Sequence, residues 1–124
     1  MKPTVLLFGL SPAKRNAIGV VCHKLNLRMV DVPPQRWGCT LETLFAGTEG
    51  DCPAKDPFHE EMLVMDLPGS VLDFFLQGLR RQKVVVDLKA ARTPTNDTWT
   101  ADALYQELCR EREAFRNGTA AHHE

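Results

Sequence analysis

The sequence predicts a single α/β domain in which four short strands alternate with helices, in the order βαβαβαβα. Two segments, residues 4–10 and 61–67, are apolar on both faces, which is typical of the central strands of a parallel sheet. Apolar residues at helical spacing follow both segments. A chain of 124 residues fits one domain. We place this domain at residues 1–117 and expect the tail at 118–124 to be disordered.

The first half of the chain predicts two strands and two helices. Ser11 is a capping residue and Pro12 suits the first helical turn, so a helix begins there. Thr40 is a second such cap. Residues 48–60, rich in Gly, Pro and charge, predict a surface loop. The predicted elements are a strand at 4–10, a helix ending near Asn26, a strand at 28–32 and a helix at 40–46.

The second half continues the alternation. Val85 lies on the more polar side of an alternating strand, which indicates that this strand is at a sheet edge. We expect Gly78 to weaken its helix by about 1 kcal/mol relative to alanine, and Phe115 to extend the inner face of the last helix. The predicted elements are a strand at 61–67, a helix that follows a turn at 68–70 and has Arg80 and Arg81 near its end, a strand at 84–90 and a helix capped by Thr100 that ends near Asn117.

Two sheet arrangements fit this order of elements. We favour an open, mainly parallel sheet with helices on both faces, because two strands are apolar on both faces. The alternative is a ferredoxin-like α+β plait, in which residues 33–60 are a long excursion between two βαβ units. No internal repeat is evident in the sequence.

Composition and charge exclude several classes of function. With 15 basic and 16 acidic residues the formal net charge is −1, so nucleic acid is not an expected partner. The longest apolar run is the length of a strand, so no membrane contact is expected. The first residues lack the apolar length and cleavage site of a secretory signal, and we therefore expect a cytoplasmic location.

Cysteine spacing predicts free thiols. None of the four cysteines belongs to a C-x-x-C pair. Cys39, Cys52 and His59 come nearest to a zinc ligand set, but they are spread along a flexible segment, whereas structural zinc sites use two closely spaced pairs. We expect neither a metal nor a cofactor.

Residues 88–100, LKAARTPTNDTWT, are the most distinctive segment of the chain. Turn chemistry explains most of it, because Asn96 and Asp97 can close turns on their own backbone and Thr100 caps the next helix. A binding role is the alternative, since open α/β sheets bind ligands at the carboxyl ends of their strands. The candidate ligand-binding residues are Ser11, Asp66, Lys89, Thr93, Thr95 and Asn96.

No catalytic residue is expected. Asp66 and Lys89 occupy positions like those of a receiver domain's phosphorylation pocket. Such a pocket also needs a pair of acids to bind magnesium, and residues 9–11 supply none. We interpret Asp66 and Lys89 as an ion pair or as solvated strand ends.

The second half of the chain resembles a known family. The strand MLVMDL, the helix pattern from Leu72 to Arg80, the string LKA..TPTN..WT and the helix ELCRERE resemble the bacterial proteins catalogued as domain of unknown function 3783, over about residues 61–115. Members are usually apolar where this chain has Ala91 and Arg92, and often have a histidine near Arg112. The family name implies no activity, cofactor or catalytic residue.

Two classes of function remain. A non-catalytic binding or regulatory module would use an exposed sheet edge to contact another protein or a second copy of itself, because an unpaired edge favours association. A small-molecule-binding protein or an enzyme would use the strand ends around Lys89 and the TPTN loop. We favour the first class, in which a charge placed at Val85 is expected to abolish association.

Overall fold

A computed structural model describes residues 2–55 and 58–117. It confirms one α/β domain with alternating strands and helices. The predicted disordered tail at 118–124 lies outside the described residues. In chain order the elements are β1 (Thr4–Phe8), α1 (Pro12–Leu25), β2 (Arg28–Val32), a 3-10 turn (Pro34–Arg36), α2 (Leu41–Ala46), β3 (Met62–Asp66), α3 (Gly69–Arg81), β4 (Leu88–Ala91) and α4 (Ala101–Arg116).

The sheet is mixed, with strand order β2-β1-β3-β4. β1 pairs in parallel with β2, and β3 with β4, but β1 and β3 are antiparallel at the centre. The mainly parallel arrangement is therefore correct within each βαβ unit and wrong between the units. Burial on both faces identifies a central strand without fixing its direction. The ferredoxin-like plait is not formed either, because that plait splits its βαβ units and this fold keeps each one contiguous.

The two inner strands supply two cores. β1 is buried throughout, as are the first four residues of β3. Val5 and Leu7 face the core formed with α1 and α3, whereas Leu6 and Phe8 face the core formed with α2 and α4. The predicted central position of both strands is confirmed, and helices cover both faces of the sheet.

The predicted helix ends are largely confirmed. The Ser11 hydroxyl accepts a hydrogen bond from the Lys14 amide, and Asn26 ends α1 in the left-handed conformation, with φ of 57°. Gly47 ends α2 with φ of 75°. Phe115 departs from its prediction, since it is 71% exposed and lies outside the core that α4 helps to form.

β4 is shorter and begins later than predicted. Val84 is buried and Val85 is exposed, so the predicted alternation of burial is confirmed. The main chain at these positions is nevertheless outside the sheet, because the Val84 amide donates to Leu79 O and Lys14 Nζ donates to Val85 O. β4 remains an edge strand, as predicted.

The two halves of the chain share one plan. Each half is a βαβ unit followed by a turn and a helix with a threonine cap. The sequences CTLETLF at 39–45 and WTADALY at 99–105 occupy equivalent places, and Thr40 and Thr100 pair in an antiparallel bridge. The similarity between the halves lies in the order of elements and in a few capping and core residues.

Candidate functional site

The antiparallel centre of the sheet separates Ser11 from the other candidate residues. In the register between β1 and β3, Thr4 lies opposite Asp66 and Phe8 opposite Met62. The carboxyl end of β1 is therefore at the opposite end of the sheet from the carboxyl end of β3. Ser11 lies beside Glu61, whose Oε2 is 3.4 Å from the Ser11 amide nitrogen.

Lys89 is also apart from the predicted cluster. It is the second residue of β4 and pairs with Leu63, so it lies towards the amino end of its strand. Its Nζ donates to Val86 O. The predicted ion pair between Asp66 and Lys89 is not formed, because Asp66 instead pairs with Arg92, at 3.1 Å.

The remaining candidates lie near the carboxyl ends of β3 and β4. An open pocket of about 370 Å³ is lined there by Asp66, Arg92, Thr93, Pro94 and Asp97. Thr95 is exposed on the same turn, and Asn96 is buried, with 8% of its surface exposed. The six candidates thus do not converge on one cleft, and ligand binding by any of them stays a prediction.

Asn96 has a structural role that accounts for its burial. Its Oδ1 accepts from the Thr93 amide at 2.8 Å, and its own amide donates to Thr93 Oγ1 at 3.1 Å. Its Nδ2 donates to Ala91 O at 3.0 Å. The side chain therefore closes the turn and occupies the last carbonyl of β4, as the turn interpretation predicts.

Arg92 is the residue at this site that the sequence reasoning missed. Its Nε donates to Asp97 Oδ1 at 2.7 Å, and its Nη1 donates to Asp66 Oδ2 at 3.1 Å. Its guanidinium carbon lies 4.7 Å from the centroid of the Phe45 ring. The hydrogen bond to Asp97 is the main cause that raises the pKa of Arg92, against the opposing effect of burial. The signal in the sequence was the resemblance itself, which implies an apolar residue where this chain has Arg92.

Reciprocal hydrogen bonds occupy the amino ends of α2 and α4. The first two amides of α2, Leu41 and Glu42, donate to Trp99 O and Asp97 O. Those of α4 donate at the equivalent positions, from Ala101 to Cys39 O and from Asp102 to Trp37 O. The threonine caps bind the third amide of each helix. A helix amino end binds anions through free amides, and here these amides are already bound.

The described residues offer no metal centre or membrane span. Within residues 2–55 and 58–117, no group of three His, Cys, Asp or Glu side chains is placed to hold a metal ion. The segments of Cys39 and Cys52 are adjacent, because the Gly38 amide donates to Cys52 O, but these cysteines and His59 do not form such a group among the described residues. None of the described helices is both long enough and apolar enough to cross a bilayer.

Comparison with known proteins identifies the second half of the chain. No curated protein and no solved structure matches the chain. Residues 61–115 match the family described as Domain of unknown function (DUF3783). This range holds β3, α3, β4, the TPTN turn and most of α4. The resemblance noted in the sequence is confirmed, since the match to the DUF3783 family covers the same residues, 61–115.

Proposed function

We propose that the protein is a non-catalytic binding module that acts through protein contacts, and that its contact surface is the outer edge of β2. The supporting observation is that the main-chain N–H and C=O groups of Met29 and Asp31 have no hydrogen-bond partner among the described residues. Unpaired N–H and C=O groups in a row attract a further strand.

The direction of these groups follows from the pairing of β2 with β1. Arg28 pairs with Thr4, and its amide donates to Pro3 O at 2.8 Å. In a parallel pair, alternate residues turn their main-chain groups towards the neighbouring strand. Arg28, like every second residue after it, therefore faces β1, and Met29 and Asp31 face outwards.

The other edge of the sheet offers fewer free main-chain groups. Asn96 Nδ2 donates to Ala91 O, the last carbonyl of β4. Val85 and Val86 are outside the strand, and their carbonyls accept from Lys14 Nζ and Lys89 Nζ. The strand itself has only four residues. Short edge strands and lysines discourage pairing. These contacts favour β2 over the Val85 edge that the sequence suggested.

A second copy of the chain is the partner that β2 fits best. An antiparallel pair of β2 strands centred on Val30 places Met29 of each copy opposite Asp31 of the other, with four main-chain hydrogen bonds exchanged. Val30 then faces its own counterpart, and no like charges lie directly opposite each other. Asp31 already pairs with Arg15 at 2.9 Å, which lowers the charge cost of the contact.

Sedimentation velocity over a range of concentrations tests this proposal. We expect a reversible dimer that the change Met29→Pro abolishes, because proline removes an outward N–H without removing a bond to β1. Met29→Ala, which keeps that N–H, is the matched control and retains the dimer. Circular dichroism checks that each variant is folded.

Two results would contradict the proposal: a monomer at every concentration, or a dimer that survives Met29→Pro. A charge at Val85, as in Val85→Glu, leaves the β2 dimer intact, so dissociation by that variant would instead identify the surface around Val85 as the contact. The cytoplasmic location stays a prediction that fractionation of the source cells tests.

A further inference from the structure

Two cysteines from separate segments lie side by side. The Gly38 amide donates to Cys52 O at 2.6 Å, and the Cys52 amide donates to Gln35 O at 2.9 Å. These main-chain bonds hold the segment that contains Cys52 against the one that contains Cys39. The Cys39 Sγ lies 3.9 Å from Gly50 O, two residues before Cys52, and both cysteines pack in the same core.

The close approach depends on the glycine that precedes Cys39. A Cβ at Gly38 would lie 2.4 Å from Pro53 O and 2.7 Å from Cys52 O, so no other residue fits without movement. Arg36 adds a second attachment, because its Nε donates to Gly50 O at 2.9 Å. The proximity of the two cysteine-bearing segments is therefore fixed by the main chain around them.

We propose that Cys39 and Cys52 form a reversible dithiol–disulfide pair that is oxidised by exchange with a low-molecular-weight disulfide such as glutathione disulfide. Cys52 loses its proton and attacks one sulfur of that disulfide, which releases one glutathione thiolate. Cys39 then loses its proton and attacks the Cys52 sulfur, which releases the second glutathione. Two electrons pass from the protein to the glutathione disulfide, and the two protons end on the released thiols.

The exposure of the two thiols sets the order of these steps. Cys52 is partly exposed and can meet the oxidant, whereas only 1% of the Cys39 surface is exposed. Burial raises the pKa of the Cys39 thiol, so we expect the second step to be the slower one. The other cysteines lie elsewhere: Cys22 is buried against α3, and Cys109 is on α4.

The disulfide would fix one wall of a cavity. Pro53 and Lys55 lie on the same loop as Cys52 and line a pocket of about 380 Å³ together with Gly38, Thr100 and Asp102. The Lys55 amide donates to Asp102 Oδ2 at 3.2 Å, which is the contact between this loop and the first turn of α4. Oxidation would therefore link this loop covalently to Cys39, which lies next to the amino ends of α2 and α4.

Glutathione redox titration of the whole chain tests the proposal. After equilibration with glutathione disulfide, peptide mass spectrometry should find a Cys39–Cys52 disulfide within one chain, with the loss of two hydrogens. The oxidised protein should melt about 5 °C or more above the reduced one, because the bond closes a loop of the unfolded chain. Dithiothreitol should reverse both changes.

The variants Cys52→Ser and Cys109→Ser form a matched pair, since each replaces one partly buried cysteine. Cys52→Ser should lose the oxidative shift in melting temperature, and Cys109→Ser should keep it. A stable glutathione adduct on Cys52 alone, a disulfide that involves another cysteine, or an oxidised form that melts no higher than the reduced one would overturn the proposal.

Discussion

Thr40 and Thr100 face each other in an antiparallel bridge, and each of them caps the helix that begins beside it. The main-chain carbonyls before each cap accept hydrogen bonds from the first amides of the opposite helix. α2 and α4 therefore begin at one shared joint, and neither amino end is complete without the other. This joint connects the first half of the chain to the family segment at 61–115.

Replacing either cap should destabilise both helices. Thr40→Ala and Thr100→Ala should each lower the free energy of unfolding by about 1 kcal/mol, the usual cost of losing an N-cap. Because the two caps share one joint, the double variant should differ from the sum of the single ones by about 0.5 kcal/mol or more. Urea unfolding measures all three.

Serine is the control for this pair of substitutions. Thr40→Ser and Thr100→Ser keep the capping oxygen and should stay close to the parent in stability. Strict additivity of the two alanine substitutions would show that the helices are capped independently, contrary to the reciprocal bonding.

Gly78 should be a position where alanine is harmful in spite of its helix propensity. A Cβ at Gly78 would lie 2.6 Å from Val21 Cγ1 and 3.2 Å from Val21 Cγ2. Alanine gains about 1 kcal/mol of helix propensity, but overpacking typically costs 1–3 kcal/mol. We expect Gly78→Ala to lower the free energy of unfolding by about 1 kcal/mol overall.

Two further variants separate packing from propensity. Gly69 has no atom within 4 Å of a built Cβ, so Gly69→Ala in the same helix should be neutral or slightly stabilising. In a chain that already carries Val21→Ala, the change Gly78→Ala should raise the free energy of unfolding. The Val21 atoms that would clash with the new Cβ are then absent. If Gly78→Ala raised the melting temperature in the parent chain, α1 and α3 would be less tightly packed than the structure indicates.

The sequence predicts the elements better than their arrangement. β1 and β3 are identified because their apolar stretches, residues 5–8 and 62–65, need cover on both faces, and the caps at Ser11, Thr40 and Thr100 follow from local chemistry. Strand direction depends instead on the long connection at 33–60, whose path is set by contacts such as Gly38 with Cys52.

The candidate residues are spread over the fold for the same reason. Ser11 follows β1 and Asp66 is the last residue of β3, so the two meet only if these strands are parallel. The β4 boundary was missed because Lys14, far away in sequence, binds the carbonyl of Val85. For residues 92–97 the sequence predicted only the turn, which the hydrogen bonds between Thr93 and Asn96 close.

Arg92 should stabilise the end of the sheet through its shape as well as its charge. It contacts Asp97, Asp66 and the Phe45 ring at once. Arg92→Ala should lower the free energy of unfolding by about 1–2 kcal/mol, as expected for a partly exposed ion-pair network with a cation–π contact. Urea unfolding measures the loss.

The conservative variant makes this prediction specific. Lysine cannot bind two carboxylates in the planar geometry of arginine, so Arg92→Lys should recover less than half of the loss. Full recovery by lysine would mean that charge alone matters at this position. Asp66→Asn, which removes the longer of the two ion pairs, should cost less than Asp97→Asn.

Acid should weaken the attachment of α4 to the rest of the fold. Arg112 on α4 binds both carboxylate oxygens of Glu60, just before β3, and its Nη1 lies 3.8 Å from Asp87 Oδ2. The hydrogen bond from Arg112 is the main cause that lowers the pKa of Glu60 below its ordinary value of 4.5. The unfolded chain therefore takes up this proton at a higher pH than the folded one.

The sign of the effect follows from that difference. A carboxyl group with a lowered pKa in the folded state adds stability above its unfolded pKa and loses this contribution as the pH falls through the folded value. The variant Glu60→Gln should therefore melt below the parent at neutral pH, and the difference should shrink steadily below about pH 4.5. Glu113→Gln makes the same change of charge on α4 without removing an ion pair found in the described residues. Its melting temperature should follow that of the parent as the pH changes. If the difference in melting temperature between Glu60→Gln and the parent stayed constant down to about pH 3, Glu60 and Arg112 would not form this ion pair in solution.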